Sequence, residues 1–251
     1  EQNSYAGITN KILSKKASKI CVAYEGMEKF FPEQKIILTG NPVRQDLKDV
    51  KSNRGEALDF FKLDKNKKTV LVIGGSLGAR SINESIGSGL QRLADNSIQL
   101  IWQTGKGYYQ TAQQQVAKFS NKNIFAFEFI TKMNLAYAAA DIVISRAGAS
   151  SVSELCNLAM PCILVPSPNV AEYHQAKNAM ALVNKEAALL VKDTDALSNL
   201  VKVAIALTGD NAQKEKLSRN ISKMAFHNSA NVIAKEVLKL AGYSIDEGAG
   251  L

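Results

Sequence analysis

The feature that most constrains the fold is a series of short, continuous apolar runs separated by segments of helical periodicity. The runs are KICVAY (19–24), KIILTG (35–40), KTVLVIGG (68–75), IQLIWQT (98–104), NIFAFEF (123–129), DIVIS (141–145), PCILVP (161–166) and AALLVK (187–192). A strand with one face in water alternates apolar and polar residues, whereas a strand covered on both faces does not. Most of these runs do not alternate, so they predict strands buried on both sides. Between two of them, Ile82, Ile86, Leu90 and Leu93 recur at helical spacing and form one apolar stripe. Strands alternating with helices are βαβ units, and such units build a parallel sheet. After residue 192 the strand signal stops. Segments 196–207, 212–225 and 229–241 read as helices, the last with a stripe of Ile233, Val237 and Leu240, and the closing SIDEGAGL reads as frayed.

The stretch TGNPVRQDL (39–47) reads as a boundary, because Gly40 is permissive and Pro42 biases Asn41 away from helix. From residue 68 onward the strand–helix units suffice for a complete doubly wound α/β domain. The first 40 residues hold only about two strands and a helix, too little for a domain. They are expected to be the tail of another domain. The expected division is 1–40, 41–226 and 227–251, the last being a terminal helix and tail.

Composition narrows the partners. The chain has 251 residues, 46% hydrophobic and 22% charged, as in ordinary soluble domains. No apolar run approaches the ~20 residues that span a bilayer, and the opening EQNSYAGITNKIL has no signal-peptide apolar region. Cys21, Cys156 and Cys162 show no CxxC spacing and are expected to be free packing residues in a reducing cytoplasm. With only His174 and His227 besides, no metal site is expected. A net charge of +8 suits an acidic partner or solvated surface lysine. Lys11, Lys15, Lys16 and Lys19 gather near the start without interleaved aromatics, so nucleic acid is not expected.

In an open parallel sheet, ligands bind beyond the carboxyl ends of the strands. Two strand-to-helix turns here are rich in small residues. In VLVIGGSLGARSIN (70–83), Gly74, Gly75 and Gly78 let a backbone approach a ligand, and Ser76 is placed to cap the helix. A helix N-terminus offers unpaired N–H groups and a partial positive charge, which suits phosphate. The turn is neither a Walker A loop nor a full GxGxxG, and a structural tight turn explains it about as well. In ISRAGASSVSEL (144–155), small residues from Ala147 to Ser151 again permit close approach, and Glu154 lies a turn inside the helix. A carboxylate there can accept from both hydroxyls of a ribose diol; the plainer alternative is that Ser153 and Glu154 serve only the helix end. A third strand end, VPSPNVAEYHQAKNAMAL (165–182), brings Glu172, His174, Gln175 and Asn178 within a polar loop and helix start, where they could address sugar hydroxyls.

Together EQNSYAGITNKI, GNPVR, GGSLGARSIN, QTGKG, EFITKMNLAYAAADIVISRAGASSVSEL and VPSPNVAEYHQAKNA resemble the MurG family of bacterial UDP-GlcNAc transferases, over nearly the whole chain. The resemblance implies a GT-B fold, two Rossmann-like domains facing a cleft, with the carboxy-terminal one binding UDP-GlcNAc. It implies that Asn3 and Arg44 reach the donor from the interdomain side and that Ser76 lies at the diphosphate. Ile130 would offer its backbone to uracil. Ala149, Ser150, Ser151, Val152, Ser153 and Glu154 would wrap the diphosphate and ribose, supported by Gly74, Gly75, Gly78 and Gly148. Gln175 would read GlcNAc hydroxyls, while His174 departs from the Gln-Gln of some members. The terminal helix would cross back to the amino-terminal domain. The implied reaction is an inverting transfer of GlcNAc to undecaprenyl-pyrophosphoryl-MurNAc-pentapeptide, lipid I to lipid II, in peptidoglycan synthesis. It implies no cofactor, and a peripheral place on the cytoplasmic face of the inner membrane. The chain opens inside the family's HEQN motif without its His, so the candidate base, acceptor surface and membrane patch are expected to lie outside this sequence. No catalytic residue is assigned within it. A UDP-GlcNAc 2-epimerase of the same architecture and a non-catalytic nucleotide-sugar binding module are the competing readings.

Overall fold

A computed structural model describes residues 1–47, 50–168 and 173–243. The elements run α1 (Ile8–Leu13), β1 (Ile20–Val22), β2 (Ile36–Leu38), α2 (Arg54–Phe60), β3 (Lys68–Ile73), α3 (Arg80–Asp95), β4 (Ile98–Gln103), α4 (Tyr109–Val116), β5 (Ile124–Phe127), α5 (Met133–Ala139), β6 (Ile142–Ser145), α6 (Ala149–Asn157), β7 (Cys162–Leu164), α7 (His174–Val183), β8 (Leu189–Leu190), α8 (Ala196–Gly209), α9 (Asn211–Ser222) and α10 (Ser229–Leu240). Each of the eight apolar runs contains a strand. The tail 244–251, read as frayed, lies outside the described residues.

β3 to β8 form one parallel sheet in the order β5-β4-β3-β6-β7-β8. The chain starts in the middle, builds outward to one edge through β4 and β5, then returns to β3's other side and builds to the opposite edge. This is the doubly wound order, with a switch point between β3 and β6. Residues 70 to 73 of β3 pair with residues 142 to 145 of β6.

The strands are apolar over most of their length because their two faces feed two separate cores. Val70, Val72, Leu100, Trp102, Ile142, Ile144 and Ile163 point to one side and pack with the stripe of α3, Ile82, Ile86, Leu90 and Leu93, and with α8. Leu71, Ile73, Ile101, Val143, Cys162 and Leu164 point to the other and pack with α2, α5 and α6. The four stripe residues of α3 are at most 2% exposed. At about 1.5–3 kcal/mol for each buried large aliphatic side chain, this packing holds α3 far more strongly than its intrinsic propensity does.

The amino-terminal stretch forms a smaller unit, in which β1 and β2 pair in parallel over a cluster of Ala6, Val22, Met27 and Phe31. It is tied to the large sheet by polar contacts. Asn41 Nδ2 donates to Ser153 Oγ at 3.0 Å, and Asn178 Nδ2 donates to Asn3 Oδ1 at 3.0 Å. Gly40 lies against Phe226 and Ser229, where the chain enters α10. The apolar stripe of α10 is largely uncovered, with Val237 59% and Leu240 56% exposed. Among the described residues, no helix is long and apolar enough to cross a membrane. The three cysteines are free thiols; Cys156 and Cys162 are buried in the core.

Candidate functional site

Parallel strands leave a crevice where the connections part, here between the turn after β3 and the turn after β6. Each turn delivers a helix N-terminus. The residue before α3 is Ala79 and the residue before α6 is Gly148, neither of which has a side-chain oxygen with which to cap its helix. The first N–H groups of an α-helix have no partner within the helix. Two uncapped N-termini on adjacent strands therefore present N–H donors and two positive dipole ends to one crevice, which suits a diphosphate.

The glycines divide into two kinds. Gly78 has φ +77°, and a Cβ there would sit 2.1 Å from the Thr104 carbonyl oxygen. A Cβ on Gly74 would sit 2.7 Å from the Ala79 nitrogen. These two are required by the turn itself. Gly148 is different: its φ is −67° and its ψ 148°, open to any residue, and the nearest atom to a Cβ is Ser151 Oγ at 3.9 Å. Among the described residues nothing demands glycine at 148, so the lack of a side chain leaves room for something else. The glycine turn also corrects one expectation. α3 begins only at Arg80, so Ser76 is exposed in the turn and does not cap the helix. The turn needs residues 74 to 79 to reverse direction before helical dihedrals can begin.

Glu154 sits in the second turn of α6 and is 7% exposed. Its Oε1 accepts from Arg44 Nε at 2.9 Å and its Oε2 from the Tyr137 hydroxyl at 2.9 Å. The carboxylate is thus held by side chains rather than by backbone N–H groups, which removes the helix-end role as its explanation. Ser153 Oγ donates to the Ala149 carbonyl at 3.0 Å, so it does not cap either. Val152 belongs to the core, Ser150 is exposed, and Ala149 is buried at the helix start. From this segment the crevice receives mainly backbone, with Ser150 and Ser151 as its accessible hydroxyls.

Ile130 is buried, and its N–H donates to Gln103 Oε1 at 3.1 Å; Gln103 Nε2 in turn donates to the Gly75 carbonyl at 3.2 Å. The Gln175 side chain accepts from the Ser167 N–H at 2.9 Å and so shapes the loop after β7. Asn3 meets the buried Asn178, which also accepts from the Ser4 N–H. His174 opens α7 and packs edge-on to Tyr5, ring centroids 6.5 Å apart. Glu172 lies outside the described residues.

Four polar residues here were not singled out in the sequence. Gln103 links the glycine turn to Ile130, and Tyr137 holds Glu154. Arg146 and Asp193 form an ion pair to which Ser81 also bonds, joining the first turn of α3 to the ends of β6 and β8. Burial, and then the Glu154 charge, hold the Tyr137 phenol well above the usual range, so it stays a hydrogen-bond donor.

Residues 69–237 match the family described as Glycosyltransferase family 28 C-terminal domain. A protein of Parabacteroides distasonis named UDP-N-acetylglucosamine–N-acetylmuramyl-(pentapeptide) pyrophosphoryl-undecaprenol N-acetylglucosamine transferase is 56% identical over 240 residues, 96% of this chain and 65% of its own length. The chain therefore spans just under two thirds of the curated relatives it matches first. MurG of Acinetobacter baumannii has a similar structure, with a TM-score of 0.75 and 25% identity over 95% of this chain and 66% of that one. A UDP-GlcNAc 2-epimerase of Neisseria meningitidis, solved bound to UDP-GlcNAc, has a TM-score of 0.61 at 17% identity over 91% of this chain and 63% of that one, a likeness of fold alone. The parallel-sheet architecture is GT-B, and the resemblance to MurG read from the motifs holds over nearly the whole chain. With the family match running from β3 into α10, the chain belongs to glycosyltransferase family 28 and carries its C-terminal domain.

Proposed function

We propose that this chain is the donor-binding part of a transferase that moves GlcNAc from UDP-GlcNAc to undecaprenyl-pyrophosphoryl-MurNAc-pentapeptide, lipid I to lipid II, in peptidoglycan synthesis. The observation that carries the reading is the pair of uncapped helix N-termini, α3 and α6, meeting at the β3–β6 switch point. The Parabacteroides distasonis relative, named for this reaction, supplies the identity of donor and acceptor.

In this reading the diphosphate lies against the backbone of residues 148 to 153 and the turn at Gly74, Gly75, Ser76 and Gly78. Glu154 accepts from the ribose hydroxyls. Uracil meets the backbone of Ile130 through its carbonyl, since its N–H is given to Gln103. Gln175 addresses the GlcNAc hydroxyls, Asn3 approaches from the amino-terminal unit, and Arg44 approaches from the segment between β2 and α2. Residues 41–226 make the donor unit, 1–40 belong to the acceptor domain, and 227–251 return toward it.

The chemistry is an inverting displacement. The muramyl C4 hydroxyl attacks the anomeric carbon and gives its proton to the base outside this chain, the bond from that carbon to the diphosphate oxygen breaks, and UDP leaves with the electron pair. Negative charge grows on the leaving diphosphate, and fixed N–H dipoles stabilise that charge without reorganising. Arg44 adds a full positive charge once a nucleotide competes for Glu154. Transfer belongs to a protein of the relatives' full length, peripheral on the cytoplasmic face of the inner membrane, with the base, acceptor surface and membrane contact outside this chain.

Two measurements test the reading. Calorimetry should show this chain binding UDP and UDP-GlcNAc in preference to ATP and NAD; preference for either of the latter would overturn it. A full-length protein containing this chain should convert lipid-linked acceptor and UDP-GlcNAc to a product heavier by one GlcNAc, identified by mass. Release of free sugar or of its 2-epimer instead would point to a different reaction.

A further inference from the structure

We infer that Tyr137 is a positioning residue that lets Glu154 distinguish a nucleoside diphosphate with an intact 2′,3′-diol from one without it. The inference rests on the proposed role of Glu154 and deepens it.

α5 is otherwise a packing helix, MNLAYAA, buried against α2 and the sheet. A phenylalanine at 137 would fill the same core space. What tyrosine adds is a hydroxyl in a buried setting, and its bond goes to Glu154 Oε2 at 2.9 Å. Tyr137 is 1% exposed, and the pair joins α5 to α6.

Glu154 needs such a partner. The terminal torsion of a glutamate is broad, so an unheld carboxylate turns about its axis. Arg44 cannot hold it through ligand binding, because its side chain is 45% exposed and reaches Oε1 from the loop between β2 and α2. Tyr137 is the fixed partner and Arg44 the exchangeable one. An ionised carboxylate has about four acceptor positions on its two oxygens. With one position of Oε2 taken by the phenol, the carboxylate plane is set, and the positions that Arg44 vacates are available to two neighbouring hydroxyls. Burial holds the phenol protonated near neutral pH, so it remains a donor to Glu154 there.

The test compares UDP with 2′,3′-dideoxy-UDP by calorimetry, in the wild-type chain and in Tyr137→Phe. The wild type should favour UDP by about tenfold or more, the scale of hydrogen bonds to a charged group. Tyr137→Phe should cut that preference to about threefold or less while changing dideoxy-UDP affinity less than about twofold. A merely structural role would weaken both nucleotides alike, and that result would overturn the inference, as would a variant that keeps the full preference. If the wild type itself binds both nucleotides equally, the role of Glu154 falls and takes the inference with it. Should Tyr137→Phe not fold, 3-fluorotyrosine at 137 replaces it. Its fluorine resonance should shift on saturation with UDP and much less with dideoxy-UDP; equal shifts, or none, would overturn the inference.

Discussion

Replacing three glycines by alanine, one at a time, separates residues that build the turns from those that leave room for a ligand. At Gly78 the added methyl meets two penalties. The backbone is left-handed, φ +77°, which costs an L-residue about 1–2 kcal/mol. The new Cβ would also stand 2.1 Å from the Thr104 carbonyl oxygen, a backbone atom that cannot step aside alone. That carbonyl accepts from buried Asn83 Nδ2 at 2.8 Å, and Asn83 in turn accepts from Trp102 Nε1 at 2.9 Å. Moving Thr104 breaks this buried network, at about 1–3 kcal/mol for each polar group left unpaired. Gly78→Ala should therefore lose roughly 3–5 kcal/mol, a large part of the ~5–15 kcal/mol that holds a domain together. At Gly75, φ is +83° but no atom of the described residues lies within 4 Å of a Cβ, so only the backbone penalty of about 1–2 kcal/mol applies. At Gly148 the backbone is unstrained. The ~0.4–1 kcal/mol gained by restricting the unfolded chain is set against a poorer N-cap, and stability should stay close to wild type. Gly148→Ala should nevertheless weaken UDP binding by about tenfold or more, because the methyl takes the space in front of the α6 N–H groups. Urea unfolding and calorimetry read the two quantities separately. A Gly148→Ala chain that binds UDP as well as wild type would refute the claim that small residues follow β6 to admit a ligand. A Gly78→Ala chain of wild-type stability would refute the turn geometry.

Glu154→Ala should lower stability by about 1–3 kcal/mol, since it strands the buried Tyr137 hydroxyl, whereas Arg44→Ala should cost under about 1 kcal/mol because that partner is half exposed; urea midpoints showing the reverse order would contradict the assignment of fixed and exchangeable partners. Burial pushes the Cys156 thiol up from 9.0 to about 12 and the Tyr137 phenol well above its usual range. The unfolded chain then loses these protons first, so stability should fall as pH rises from about 9 toward 12; a flat urea midpoint between about pH 8 and 10.5 would contradict it. Cys156 and Cys162 should resist iodoacetamide at about pH 8 in the native chain and react on denaturation, read by mass; labelling of either in the folded protein would show the core to be open.

The fold was legible because both faces of the central sheet strands are covered, which writes itself into the sequence as largely apolar runs. Val70 and Leu71 serve different cores, and neither could be polar. The strand-end turns were legible because glycine clusters mark unusual backbone, though not which glycine serves the turn and which the crevice. Gly74 and Gly148 look alike in sequence and differ only in what a Cβ would meet. The supporting polar residues were not legible. Tyr137 and Glu154 are 17 positions apart and Arg146 and Asp193 are 47 apart, so no local period connects them. Tyr137 stands in an alanine-rich helix where an aromatic reads as packing. Ser76 was misplaced as a cap because helix propensity in SLGARSIN gives no sign that the turn occupies residues through 79.

The most direct test of the site is an amide NMR titration of the isotopically labelled chain with UDP. The largest shifts should fall at residues 74–80 and 148–154, with smaller ones near Gln103 and Ile130, all at the carboxyl ends of β3, β4, β5 and β6. Shifts confined to the amino ends of the strands, around Arg54, Lys68 and Asp141, or no shifts in a folded chain, would contradict that placement.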